Sequence, residues 1–266
     1  MLNERCCGNL SLDGFLKSQP LSLRNGDNSP LDQLEANFEL VPANTRELTE
    51  AAFALRYQVY CLEREFEDPS QQAGKLETDE FDRHAVHSLI FYRALSTAIG
   101  TARLILPQAR PNSLPIQQLL KQNGLDAGDH FPNDLVAEVS RFAISKTFLR
   151  QSIEAASSPD GKRARHSNLP CLGLIQMLLR QSIELGIEYW AAVMEPKLLR
   201  MLAFMGIRFQ PVGPLVNHHG LRQPSYCHLP SMLRNMALTK PDSWTVVTNN
   251  GELMCLPNAA ELRLAA

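Results

Sequence analysis

Residues 77–92 read ETDEFDRHAVHSLIFY, and this junction limits the possible folds more than any other stretch of the chain. Glu77, Asp79, Glu80 and Asp82 fall within six positions, and an alternating apolar run follows almost at once. A solvated acidic run belongs on a loop tip or a helix face. Acids at the mouth of a core strand need cations, because an unpaired buried ion costs several kcal/mol. Arginine is the natural partner, since its planar fork binds a carboxylate through two parallel bonds. Either distant arginines converge on this edge, or the acids form a solvated loop cluster.

The pattern on either side names the elements. NFELV (37–41) alternates as a short strand. In PANTRELTEAAFALRYQVYCLEREF, Asn44 and Glu47 form a plausible capping pair. Leu48, Ala52, Leu55, Val59 and Leu62 then recur as one helical stripe. AVHSLIFYRA and TAIGTARLILP predict an antiparallel hairpin turning near Ser96. LPIQQLLKQNG reads as a short helix ending at Gly124, and LVAEVSRFAIS (135–145) as a strong strand. Residues 150–168 are polar, basic and nearly core-free, hence a loop. Pro and Gly punctuate two further helices, on either side of the buried strand IEYWAAVM. IRFQPVGP and PSYCHLP read as strands, and SWTVVTNNGELMCLP as a hairpin turning at Asn250-Gly251. The expected organisation is a poorly ordered arm over 1–35, a mixed domain over 36–238 and a C-terminal hairpin extension over 239–266.

Composition excludes several classes. A net charge of −2 gives no reason to expect a nucleic-acid partner. No stretch approaches the roughly 20 apolar residues of a membrane span, and the first residues do not form a signal peptide. The six cysteines include no CxxC pair, which favours reduced thiols and a cytoplasmic location. His84 and His87 stand near the acids but match no closed zinc set, so no metal is expected.

The segments LRYQVYCLEREFED, ETDEFDRHAVHSL, IGTARLILP and AEVSRFAIS occur in an order and spacing that carry a resemblance. Together they resemble the acyl-homoserine-lactone autoinducer synthases. They are still more similar to relatives that make long-chain N-acyl amino acids, including a branch found beside exosortase sorting systems. The resemblance implies an α/β (α+β) GNAT-like acyl-CoA N-acyltransferase fold. That fold has a mixed central sheet flanked by helices, in which two strands splay apart and an acyl thioester lies in the gap.

Residue by residue, the family's R-x-x-V-[FY] arginine falls on Arg56, its paired acids on Asp79 and Asp82, and its strand arginine on Arg103. Its E-x-S-R-F falls on Glu138, Ser140, Arg141 and Phe142. The implied reaction moves a fatty acyl group from a thioester to the amine of a small acceptor such as an amino acid. Glu138, out of place in a strand-forming run, would be the general base, since the attacking amine must lose a proton. Its bland alternative is a solvent-facing edge position. Ser140 shares its face in an ideal strand, and Arg141 faces away unless a bulge intervenes. Arg103 completes the catalytic set. Arg56, Asp79, Asp82 and Arg141 would order the acceptor pocket and its lid. Phe66 belongs to that pocket too and replaces the tryptophan that autoinducer synthases tend to carry, which turns the reading away from S-adenosylmethionine.

The glycine loop that holds coenzyme A pyrophosphate in this fold is missing from the chain. That favours acyl carrier protein over acyl-CoA as donor, with no permanently bound cofactor. Lys146, Arg150, Lys162, Arg163 and Arg165, with His166, would form a docking patch for the acidic carrier. No stable membrane anchor is expected, at most a peripheral contact. Two alternatives stay open: homoserine-lactone synthesis from S-adenosylmethionine, and a non-catalytic module that binds acyl groups or their carrier.

Overall fold

The computed structural model describes residues 29–108, 113–125, 134–147, 168–218 and 220–255. Among these residues eight strands form one mixed sheet. They are β1 (Phe38–Pro42), β2 (Ala85–Tyr92), β3 (Thr97–Ile105), β4 (Val136–Ile144), β5 (Tyr189–Met194), β6 (Gln210–Pro211), β7 (Val216–Asn217) and β8 (Leu221–His228). Their order is β1-β2-β3-β4-β5-β8-β6, with β7 beside β8. Every pair is antiparallel except β4 with β5. The hairpin β2–β3 turns through Ser96, which takes the left-handed conformation at φ 47°.

The parallel pair is short. Val136 faces Tyr189, Ala137 faces Trp190 and Glu138 faces Ala191, and there the pairing stops. Beyond that point β4 stays paired with β3 and β5 with β8. A bulge lies in the same stretch of β4. Thr101 faces Ala143 but Arg103 faces Ser140, so β4 carries one residue more than β3 around Arg141-Phe142. Arg141 absorbs the extra residue at φ 47°.

The two faces of the sheet differ in chemistry. Helix α4 (Leu169–Leu185), which makes the crossover from β4 to β5, covers one face with an apolar core. Leu174, Leu178 and Trp190 are buried there, and Trp190 Nε1 donates to Ser182 Oγ at 2.8 Å. Gly173 allows the helix to sit close, because a Cβ there would fall 2.9 Å from Leu40 Cδ2. The other face carries α2 (Arg46–Arg56), α3 (Pro115–Gln122) and the acidic segment 77–84.

Several expectations are corrected. The arm is structured near its end: Ser29 caps α1 (Pro30–Asn37), and Leu34 is buried. Thr45, rather than Asn44, caps α2 by accepting from Leu48 N–H. The C-terminal hairpin is instead α7 (Pro241–Val247), followed by a 3₁₀ turn over Glu252–Cys255. Asn249, Asn250 and Gly251 do turn the chain at positive φ. However, Val246 and Val247 are fully buried against α4, α6 (Leu229–Thr239) and α1, so packing overrides their strand preference. IRFQPVGP yields only the two-residue β6. The helical stripe also breaks. After Arg56 the helix widens into a π-helix over Tyr57–Glu63, which turns Cys61 inward and leaves Leu62 half exposed.

Candidate active site

Position 77 begins the site, where the chain turns its acids inward. Asp79 caps a 3₁₀ turn over Glu80–His84, accepting from Phe81 N–H at 2.9 Å. Asp82 Oδ2 accepts from Asp79 N–H at 2.8 Å in return. The turn's own backbone donors thus hold one oxygen of each carboxylate.

Three arginines then converge. Arg56, the last α-helical residue of α2, is fully buried; its Nε donates to Glu77, and its Nη1 to Asp82 Oδ1 at 2.6 Å. Arg103 comes from β3. Its Nη1 donates to both Asp79 and Asp82 at 2.6 Å, its Nη2 to Asp79 Oδ2 at 2.8 Å, and its Nε to Ser140 Oγ at 2.9 Å. Arg141 reaches Glu77 through Nη2 at 2.8 Å and Asp79 Oδ2 at 3.2 Å, which the bulge makes possible. The acids at the strand mouth are thus clamped, except Glu80, which the turn leaves outside the network.

Charge states follow from these partners. Burial alone would raise Asp82, but the hydrogen bonds and charges of Arg56, with the charge of Arg103, hold it down at about 2. Burial opposes ionisation of Glu77 too, and Arg141 and Arg56 reverse the balance, so its carboxyl stays below its ordinary value. His87 lies opposite Arg103 on β2, with its ring edge-on to Phe53. Burial pushes its imidazole down to about 4, and Nε2 stands 3.7 Å from Asp82 Oδ1, too far for a hydrogen bond.

Glu138 has a different environment. It lies at the last paired residue of the β4–β5 ladder and is 4% exposed. Its Oε2 accepts the Ile116 N–H of α3 at 2.7 Å. Leu114, which precedes that helix, and its Ile116 and Leu120, with Ile105 and Val136 of the sheet, make its surroundings apolar. Burial pushes the carboxyl up to about 8, against the pull of the Ile116 amide and of Arg103. Arg103 bridges the two settings, since it holds Asp79 and Asp82 as well as Ser140, two residues along β4 from Glu138.

The other expected residues divide. Phe66 lies 6.3 Å from the Tyr60 ring, and the Arg222 guanidinium sits 5.4 Å above it, reaching over from β8. Lys146 is tied to Glu63: its Nζ donates to the Glu63 carbonyl and its N–H to the Glu63 carboxylate, both at 2.7 Å. Arg150, Lys162, Arg163, Arg165 and His166 lie outside the described residues. Among the described residues no group of three or more His, Cys, Asp or Glu could hold a metal ion. Sequence reasoning missed Glu77 as a site residue, although it is the most buried acid of the cluster and joins Arg56 to Arg141. It also missed Tyr60, whose ring lies 5.4 Å beneath Arg141. The signal for Glu77 was present, as the first acid of the run itself.

A family profile described as an acetyltransferase (GNAT) domain matches residues 55–156, a span that contains Arg56, the acids, Arg103, Glu138 and Arg141. The fold is that of the GNAT acyltransferases. The acyl-homoserine-lactone synthase LasI superposes with a TM-score of 0.54 at 18% identity, over 77% of this chain and 95% of its own. FeeM, an N-acyl amino acid synthase from uncultured soil microbes, gives 0.53 at 16%, over 76% and 97%. The CoA-dependent acyl-homoserine lactone synthase BjaI, with SAM and isopentyl-CoA, gives 0.52 at 17%, over 80% and 88%. No curated protein matches the sequence. Within this fold the buried glutamate sits at the last paired position of β4 and β5. No described helix is long and apolar enough to cross a membrane.

Proposed function

We propose that the chain is an N-acyltransferase that moves an acyl group from a thioester, carried on acyl carrier protein, to the amine of a small acceptor such as an amino acid. The observation that carries this reading is Glu138, a buried carboxyl held near 8 where β4 and β5 part. A base of that pKa exchanges a proton readily near neutral pH. In the reaction the amine nitrogen attacks the thioester carbon, the C–N bond forms and Glu138 takes the proton. The tetrahedral intermediate collapses, the C–S bond breaks, and Glu138 returns the proton to the departing thiolate. Among the described residues β4 has no strand partner on its β5 side past Glu138, so amides on that edge can donate to the oxyanion.

The remaining site residues have positioning roles. Arg103, engaged by two acids and Ser140, acts through Ser140, which orients water or the acceptor. Arg56, Asp79, Asp82 and Arg141 hold the acceptor pocket in shape, and Phe66 contributes to its wall. The patch at Lys146, Arg150, Lys162, Arg163 and Arg165 would receive the acidic carrier.

The test is an untargeted mass-spectrometric search for N-acylated metabolites in cells that express the chain or its Glu138→Gln variant. Gln keeps an oxygen for the Ile116 amide but cannot take the proton. Linear N-acyl amino acids made only by the wild type support the proposal. A lactone head group supports the S-adenosylmethionine-dependent alternative, and equal product from both proteins removes Glu138 from the mechanism.

A further inference from the structure

The chain's charge is unevenly distributed. Residues 196–241 hold six of its 26 lysines and arginines and none of its 28 aspartates and glutamates. Acids resume only at the borders, with Glu195, which pairs with Arg222 at 3.4 Å, and with Asp242. Most of this stretch forms α5 (Pro196–Phe204), β8 and α6. Helix α5 buries Leu202 and turns Lys197, Arg200, Met201 and Phe204 outward. Helix α6 turns out Arg234 and, one turn on, Leu238. The C-terminal ends of the two helices meet, with Lys240 Nζ 4.6 Å above the Phe204 ring. Phe204 is 70% exposed and Leu238 68%, the two highest values among the large apolar side chains of the described residues.

We infer that the outer surface of α5 and α6 docks on an anionic membrane. Protruding aromatic and aliphatic side chains enter the boundary between headgroups and acyl chains, and cations beside them are drawn to anionic lipid. Neither term alone holds a protein on a bilayer, but this surface supplies both. An acidic protein would satisfy the cations, yet it would need sockets shaped for Phe204 and Leu238. A bilayer accepts protruding apolar groups without preformed sockets. Nothing in this assignment depends on the acyltransfer chemistry.

The full chain should pellet with vesicles of phosphatidylcholine mixed with phosphatidylglycerol and only weakly with phosphatidylcholine alone. High salt should weaken the binding. F204S/L238S and K197E/R200E should each reduce partitioning about tenfold while both variants still melt cooperatively as folded proteins, because all four side chains face solvent. In the wild type, hydrogen exchange should slow on vesicles at 197–208 and 234–240 and not across β1–β3. The assignment is overturned if the chain stays in the supernatant with both vesicle types, or if the two lipid mixtures bind it equally. It also fails if the variants pellet like the wild type, or if a soluble acidic carrier protein, and not vesicles, protects those two segments.

Discussion

Two regions on one face of the sheet place glutamates at almost equal depth and give them opposite states. Glu77 is 1% exposed and Glu138 is 4% exposed. Glu77 meets two guanidiniums and stays ionised, whereas Glu138 meets one backbone amide and an apolar wall and is pushed up to about 8. Burial sets the stakes, and the partners decide the sign. The arginine-clamped region is therefore a scaffold whose charges are fixed. The region at the strand split holds a carboxyl that can change its charge near neutral pH.

The largest effect should come from breaking the scaffold. Glu77→Ala leaves Arg56 buried without one of its two acids and takes the main partner from Arg141. Denaturant unfolding should show a loss of about 3–5 kcal/mol. A loss under about 1 kcal/mol, the range of exposed pairs, would mean that the cluster is solvated and the comparison is unsound. Next, Glu138→Gln should lower acyl transfer by about 10²–10⁴-fold, the usual worth of a general base, without a comparable loss of stability. The two substitutions should thus separate cleanly, one unfolding the protein and the other silencing it.

The pH dependence sharpens the contrast, because the two regions should respond at opposite ends of the scale. Glu138 has a folded pKa raised from 4.5 to about 8, so the folded state binds more protons than the unfolded state in that window. Its contribution is intact below about 4.5 and is lost as pH rises towards 8, at up to ~1.4 kcal/mol per pH unit. Glu138→Gln should flatten that slope, leaving the variant more stable than the wild type at alkaline pH. Asp82 behaves in the opposite sense. Its folded value of about 2 lies below the ordinary 3.8, so its contribution is present above 3.8 and fades as pH falls towards 2. Acid unfolding should consequently be shallow until the cluster protonates. A wild type and Glu138→Gln pair with parallel stability profiles from pH 5 to 8 would remove the titrating group from position 138.

The sequence carried much of this at the level of residue type and order. The acids before β2 demanded cations, and the arginines that meet them stand at the motif positions Arg56, Arg103 and Arg141. The β2–β3 hairpin and both Pro-to-Gly helices were legible from local punctuation. What stayed hidden depended on tertiary geometry. Which acid of the run goes deepest depends on the turn capped by Asp79, and this is Glu77. The bulge that brings Arg141 onto the site face is a register shift between strands, invisible in one strand alone. The π-helix after Arg56 altered a stripe that helical spacing had placed through Leu62. The final segment looked like a hairpin because Thr245, Val246 and Val247 favour strands, but buried neighbours made it a helix.

The smallest expected effect lies where the two regions touch. Tyr60, on the π-helix, carries Arg141 over its ring, and its hydroxyl donates to the Phe142 carbonyl at 3.4 Å, inside the β4 bulge. Tyr60→Phe keeps the ring beneath the guanidinium and gives up only that long hydrogen bond. It should cost about 0.5 kcal/mol or less in stability and leave acyl transfer within about threefold. Tyr60→Leu also removes the cation–π contact, and should cost roughly 1 kcal/mol more. If Tyr60→Phe instead slows transfer by tenfold or more at unchanged stability, the hydroxyl takes part in the chemistry. The reactive region would then extend across the β4 bulge into the π-helix.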